Sequence, residues 1–203
     1  MSETKLRFLV SDLEGVDGYK LTTGLIVPRP IGWVGTVSAD GVRNLAPYSF
    51  FNAISGNPPM FVFSPGRGAR KDTLDNVRVT GEFSLNIVTA EVAEAMNLTS
   101  ATVAADVDEF EHAGLTPFYG DRTAVPMVAE CKANIECVVT DIVNVGDPER
   151  GNALVIGQAV EFHIAANLLD GTRVNQAELK AIGRHVGNSY SNATDLFDLT
   201  RPP

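Results

Sequence analysis

The residues of this 203-residue chain that could do chemistry fall into three runs. In Pro65-Gly66-Arg67-Gly68-Ala69-Arg70-Lys71, three cations lie within five residues, interleaved with two glycines, and Asp72 and Thr73 follow as residues able to cap a helix. Free backbone N–H groups, the positive end of a helix dipole and basic side chains would converge on one point there. That is chemistry for an anion, above all a phosphate. Gly66-x-Gly68 lacks the third glycine of a dinucleotide fingerprint, and no Gly-Lys-Ser/Thr triplet closes a P-loop, so the phosphate reading is generic. A solvated basic loop is the plain alternative.

The second run is Asn44-Leu45-Ala46-Pro47-Tyr48-Ser49-Phe50-Phe51-Asn52. A flat heteroaromatic ligand needs apolar or aromatic faces together with a few donors and acceptors. Backbone released from a β-ladder by Pro47 could supply them, with Ser49 and Asn52 adding side-chain hydrogen bonds; otherwise the aromatics simply fill a core. The third run, Ile182-Gly183-Arg184-His185-Val186-Gly187-Asn188-Ser189-Tyr190, combines two basic residues with a tyrosine. Two isolated residues join these runs. Arg29, fixed between Pro28 and Pro30, either reaches a ligand or pairs with a carboxylate. Asn86, on the polar face of a strand, either contacts a ligand or satisfies neighbouring backbone. Trp33, the sole tryptophan, reads as core.

Other chemistries find no support. No Gly-x-Ser-x-Gly elbow occurs, and His112, His163 and His185 are too scattered for a zinc-type spacing, so no metal site is expected. Asp106-Val107-Asp108-Glu109 reads as a helix start whose negative charges suit the dipole. A formal charge of -9 argues against a nucleic-acid partner. The lack of a nucleophile or an acid/base pair is what is expected if a cofactor carries the reaction.

The elements that must position these residues are mostly strands. Ile31 to Ser38 is β-rich and ends at Asp40-Gly41, a hairpin signal in which both turn residues take positive φ, and Val42 to Ala46 returns. Pro47 should break that ladder. Phe50 to Ile54 resumes it, and Asn57-Pro58-Pro59 turns the chain into Met60 to Ser64. A helix starting at Asp72 or Thr73 carries Leu74 and Val77 and stops at Gly81. Glu82 to Thr89 alternates as a half-buried strand. Ala90 to Leu98 and Asp108 to Ala113 read as helices, and two long strands follow, near Val128 to Val143 and Leu154 to Ile164. Many strands, few helices and no βαβ rhythm favour an antiparallel barrel. Cys131 and Cys137, placed in one strand, would be roughly 20 Å apart at about 3.3 Å per residue, too far to bond. Two free thiols, with no leader and no long apolar run, point to a cytoplasmic protein without a membrane span.

Pro28-Arg29-Pro30-Ile31-Gly32-Trp33-Val34, Asn44 to Asn52, and Arg70-Lys71-Asp72-Thr73-Leu74 occur in an order that resembles the flavin reductase-like family. The resemblance runs from Tyr19 to Tyr190. It implies one mainly β domain over 19–190, an FMN-binding antiparallel split β-barrel with peripheral helices, flanked by an extension (1–18) and a tail (191–203). By the same resemblance, Arg70, Lys71, Asp72 and Thr73 grip the FMN phosphate. Pro47, Tyr48, Ser49, Phe50 and Asn52 form the ring site, with Thr36 beside them, while Asn86 and Arg29 stand as candidate contacts on the alternatives given above. Arg184 and Tyr190 match a family segment that approaches the ring, although His185 and Val186 depart from it. The implied activity is an oxidoreductase, a homodimer with FMN near the subunit interface. It would accept electrons from NADH or NADPH and pass them to free flavin, a ferric chelate or a partner protein. A flavoredoxin-like carrier and a non-enzymatic barrel for another phosphorylated or tetrapyrrole ligand are the alternatives. Since a charge-assisted hydrogen bond is worth about 1.5–3 kcal/mol, Lys71→Ala is expected to weaken FMN binding roughly tenfold or more in a fluorescence titration. Unchanged affinity would remove Lys71 from the site.

Overall fold

The computed structural model describes residues 4–67 and 72–202, so Arg70 and Lys71 lie outside the described residues. In chain order, α1 (Asp17–Leu25) precedes β1 (Arg29–Pro30), β2 (Gly32–Val37), β3 (Arg43–Tyr48), β4 (Phe51–Gly56) and β5 (Pro59–Phe63). Then α2 (Asp72–Thr80) leads into β6 (Glu82–Ile87), followed by α3 (Ala93–Leu98) and α4 (Glu109–His112). The short strands β7 (Pro117–Phe118) and β8 (Met127–Val128) come before the long pair β9 (Ala133–Val145) and β10 (Asn152–Ile164). Last come β11 (Leu169–Asp170), β12 (Arg173–Val174), α5 (Gln176–Leu179), β13 (Ile182–Arg184) and β14 (Tyr190–Asn192).

Seven strands make one antiparallel sheet in the order β3-β2-β6-β9-β10-β5-β4. Its two edge strands, β3 and β4, are consecutive in the chain and separated only by Ser49 and Phe50. The sheet therefore curls until its edges come together without pairing: an antiparallel split barrel. A smaller sheet, β1-β13-β14, brings the C-terminal hairpin back beside the start of the barrel. Alternation along β2 divides the apolar residues between two cores. Val34 joins Phe63, Phe83, Leu85 and Val155 in one, where Leu74 and Val77 of α2 also pack. Trp33 joins Leu45, Met96, Phe110 and Ile182 in the other, its indole N–H donating to Thr99 Oγ1 at 2.9 Å. Among the described residues, no helix is long and apolar enough to cross a membrane.

Four expectations about elements need correction. Pro47 does not end its ladder: β3 runs through it, opposite Trp33, to Tyr48. An edge strand can carry a proline whose missing N–H faces away from the partner. In the β2–β3 turn only Gly41 has positive φ, at 84°, while Asp40 does not. β6 is buried on both faces rather than one, because residues 116–131 cover its polar side, where Ser84 donates to Pro126 O at 2.6 Å. The first long strand begins at Ala133, so Cys131 lies outside it. Both cysteines are free, and their separation into different cores keeps them from pairing.

The covering segment is held by a buried carboxylate on β9. Glu136 Oε2 accepts from Arg122 N (3.1 Å), Thr123 N (2.7 Å) and Thr123 Oγ1 (2.8 Å), and Oε1 lies 2.9 Å from His163 Nε2. A Cβ on Gly120 would collide with this carboxylate. Burial pushes the Glu136 pKa up, but the hydrogen bonds from His163, Thr123 and Arg122 outweigh it and leave the group below the ordinary carboxylate range. Its contribution to stability is thus present above the unfolded-state pKa and is lost as pH falls through the folded value. Glu136→Ala is expected to lower unfolding free energy in urea by about 2–4 kcal/mol at pH 7, with a smaller deficit under acid conditions.

Candidate functional site

The N-terminus of α2 opens onto a cavity of about 340 Å³. Asn44, Tyr48, Asp72, Thr73, Glu109 and the loop 99–105 line it. Asp72 and Thr73 are the first two residues of α2, inside the helix rather than at its cap. The floor is a closed polar network. Asn44 Nδ2 donates to Thr73 Oγ1 (2.9 Å) and to Thr36 Oγ1 (3.1 Å), and Asn76 Nδ2 donates to the same Thr36 oxygen (3.0 Å). Edge strand β3 is thereby fastened to the first turn of α2. Thr36 is fully buried within this floor and lines neither this cavity nor the cleft described next. Tyr48 packs its ring against Phe63, with centroids 5.2 Å apart; burial pushes its phenol up to about 12 despite a hydrogen bond with Thr73.

Beyond Pro47 and Ser100, which line both spaces, a second cleft of about 620 Å³ begins. α1 contributes Tyr19, Lys20 and Thr23, the β13–β14 hairpin contributes Arg184, His185 and Tyr190, and Ser49 closes the barrel side. Arg184 donates to Tyr190 Oη and to Gly187 O, and its guanidinium carbon stands 4.6 Å from the Tyr190 ring centroid. Arg29 is 5% exposed and pairs with no carboxylate among the described residues. Its Nη1 donates to Thr23 O (2.6 Å) and Ile26 O (2.9 Å), its Nη2 to His185 O (3.0 Å) and its Nε to Ser49 Oγ (3.3 Å).

The remaining candidates lie elsewhere. Phe50 and Asn52 line a separate apolar depression with Val62 and Leu154, so the run from Pro47 to Asn52 is divided by the barrel's split. Asn86 is fully buried: Nδ2 donates to Trp33 O (2.9 Å), and Oδ1 accepts from Val128 N (2.8 Å) and Asn134 Nδ2 (2.7 Å). Arg67 turns away from the anion loop and donates to the Val145, Asp147 and Pro148 carbonyls of the β9–β10 turn.

Residues 24–178 match the family described as flavin reductase like domain. The chain belongs to this family. A crystal structure of nitrilotriacetate monooxygenase component B from Bacillus cereus superposes with a TM-score of 0.94 at 37% identity, covering 98% of this chain and 100% of that one. The 2-nitrobenzoate 2-nitroreductase of Pseudomonas fluorescens superposes with a TM-score of 0.89 at 30% identity, covering 97% and 96%. An uncharacterized protein of Aquifex aeolicus (strain VF5) is 38% identical over 192 residues, 93% of this chain and 96% of its own.

For a flavin reductase-like chain, the residue that sequence reasoning missed is Glu109. In sequence it belongs to a helix start, and the cap is Asp108, whose Oδ1 accepts from Phe110 N (2.9 Å) and Glu111 N (3.3 Å). Glu109 itself turns inward, accepts from Leu45 N (3.2 Å) and meets the α2-end cavity. Burial, with smaller contributions from Asp72 and Asp108, raises its pKa to about 7 against the N–H groups that favour its charge. Only its place after an acidic cap, before Phe110, could have signalled an inward turn. Between the ordinary carboxylate range and about 7, the folded chain keeps a proton that the unfolded chain has lost. Stability should therefore fall as pH rises through that window, by at most about 1.4 kcal/mol per unit, and level off above it. Urea unfolding from pH 5 to 8 should show this slope, and Glu109→Gln should flatten it.

Proposed function

We propose that this protein is an FMN-binding oxidoreductase, taking electrons from NADH or NADPH and passing them to free flavin, a ferric chelate or a partner protein. The observation that carries the reading is a pair of adjoining spaces, one at the α2 N-terminus and one under the β13–β14 hairpin, whose linings share Pro47 and Ser100. The two differ as the two ends of FMN do. The α2 end offers helix N–H groups with Thr73, Tyr48 and Ser100 hydroxyls, suited to a phosphate, and Lys71 and Arg70 precede it in sequence. The other end offers Ile31, Met96 and Tyr190 as walls and Ser49 as a polar contact, suited to a flat ring. Glu109, largely protonated below pH 7, adds little repulsion to a phosphate there.

Bound flavin supplies a hydride acceptor at N5 and can release electrons singly or in pairs. This chain's part is to hold the ring and exclude water. The Asn44–Thr36–Thr73 network fixes the phosphate end, and the Arg29 contacts fix the other wall. Two structural relatives bear names that describe a monooxygenase component and a nitroreductase, both consistent with moving electrons to a further acceptor. A homodimer fits the apolar side chains left uncovered at both ends of the chain, among them Phe8, Leu9, Leu25, Phe197 and Leu199.

The test is the visible spectrum of the purified protein with and without FMN, followed by anaerobic NADH and NADPH. Rapid bleaching of a bound flavin spectrum is the expected result. A flavin spectrum that persists would make the protein an electron carrier instead, and failure to bind FMN would overturn the reading.

A further inference from the structure

Strand pairing brings together three side chains that the sequence keeps apart. In the β9–β10 register Glu136 stands directly opposite Glu161, and His163 follows two residues along β10, on the same face as Glu161. Glu136 Oε1 lies 2.9 Å from His163 Nε2, and an oxygen of each carboxylate and a ring nitrogen of His163 all lie within 4.8 Å of one another. None of the three lines the α2-end cavity or the cleft under the β13–β14 hairpin.

The fold gives these acids poor compensation. Like charges directly opposite one another on an antiparallel pair repel, and here one of the two carboxylates is fully buried. Glu161 Oε2 is closed to solvent and accepts no hydrogen bond among the described residues. Arg122 Nε stands 3.3 Å from it, but that arginine side chain is 64% exposed. Exposed ion pairs contribute little, whereas a buried acceptor without a donor is costly. Glu136, by contrast, is prepared as a ligand. Arg122 N, Thr123 N and Thr123 Oγ1 hold its Oε2 and thereby aim Oε1 at His163. Phe118 packs edge-on against the imidazole, with centroids 5.8 Å apart, and restricts its rotation. Ligating carboxylates and imidazoles are fixed in this way by the groups around them.

We propose that Glu136, Glu161 and His163 bind a divalent cation of borderline softness, zinc above all. Imidazole nitrogen with carboxylate oxygen is a zinc donor set, while magnesium and calcium take oxygen alone. The ion sets two positive charges between the facing carboxylates, gives Glu161 Oε2 a partner, and leaves the triad without net charge. Zinc bonds of about 2.0–2.2 Å place tetrahedral ligand atoms roughly 3.4 Å apart, so the His163–Glu136 contact opens slightly and Glu161, which is partly exposed, draws in. Three protein ligands leave a fourth position for water. Since Glu136 also holds Arg122 and Thr123, the ion ties the β9–β10 pair to the segment that covers β6. The site does not depend on the flavin reading.

The test is calorimetry of the full chain, stripped with a chelator and free of FMN, titrated with zinc chloride and separately with magnesium and calcium chloride. One zinc per chain should bind, about tenfold or more tightly than either other ion. Glu161→Gln and His163→Gln should each weaken zinc binding about tenfold or more; Glu136 is kept because it holds the covering segment. Arg122→Gln removes the cation that competes for Glu161 and should bind zinc at least as tightly as the parent. Zinc should also raise the urea midpoint of the parent and of Arg122→Gln but not of the two ligand variants, each first shown folded by circular dichroism. If one ligand variant does not fold, the other decides. No zinc binding, binding that a folded ligand variant leaves unchanged, equal binding of magnesium or calcium, or loss of binding in Arg122→Gln overturns the proposal.

Discussion

Much of this architecture depends on one buried guanidinium. Arg29 sits where α1 ends, where β1 meets β13 and where the barrel opens between β3 and β4, and it binds all three regions at once. Its planar fork presents donors in fixed directions, so the carbonyls of Thr23, Ile26 and His185 must adopt one mutual arrangement to satisfy it. Lysine could carry the charge but not the geometry. The prolines on either side hold the backbone of Arg29 in extended form, and the paired partner opposite it is Arg184, which lines the same cleft.

The polar network at the α2 end works by a different rule. Asn44, Thr36, Thr73 and Asn76 are neutral, buried and bonded to one another, so they cost little to bury and hold the floor in one arrangement. One end is therefore a satisfied, rigid floor; the other keeps charge that its own side chains do not balance. Pro47 lies between them, on an edge strand whose outer side needs no donor.

Strand positions and helix ends were largely legible in the sequence, because alternation, Gly81, Gly114 and the Asp108 cap are local signals. Asp108 does cap α4, and Gly81 ends α2 with a φ of 71°. The site was legible in part. Pro47, Tyr48, Ser49, Asp72, Thr73, Arg184 and Tyr190 do line the two adjoining spaces. Phe50 and Asn52 fall on the other side of the split, since a sequence run does not reveal where a closing sheet will part. Glu109, the neutral partners of Arg29 and the turn of Arg67 toward the β9–β10 hairpin all depend on contacts between distant segments, and no local spacing encodes those.

The Glu136 carboxylate occupies the space that a side chain at residue 120 would need, while its hydrogen bonds hold the very loop on which residue 120 sits. The two positions are thus alternatives within one volume. In any lineage of this fold, a glycine lost at 120 and an acid lost at 136 should go together. Either change alone leaves a collision or an unheld loop.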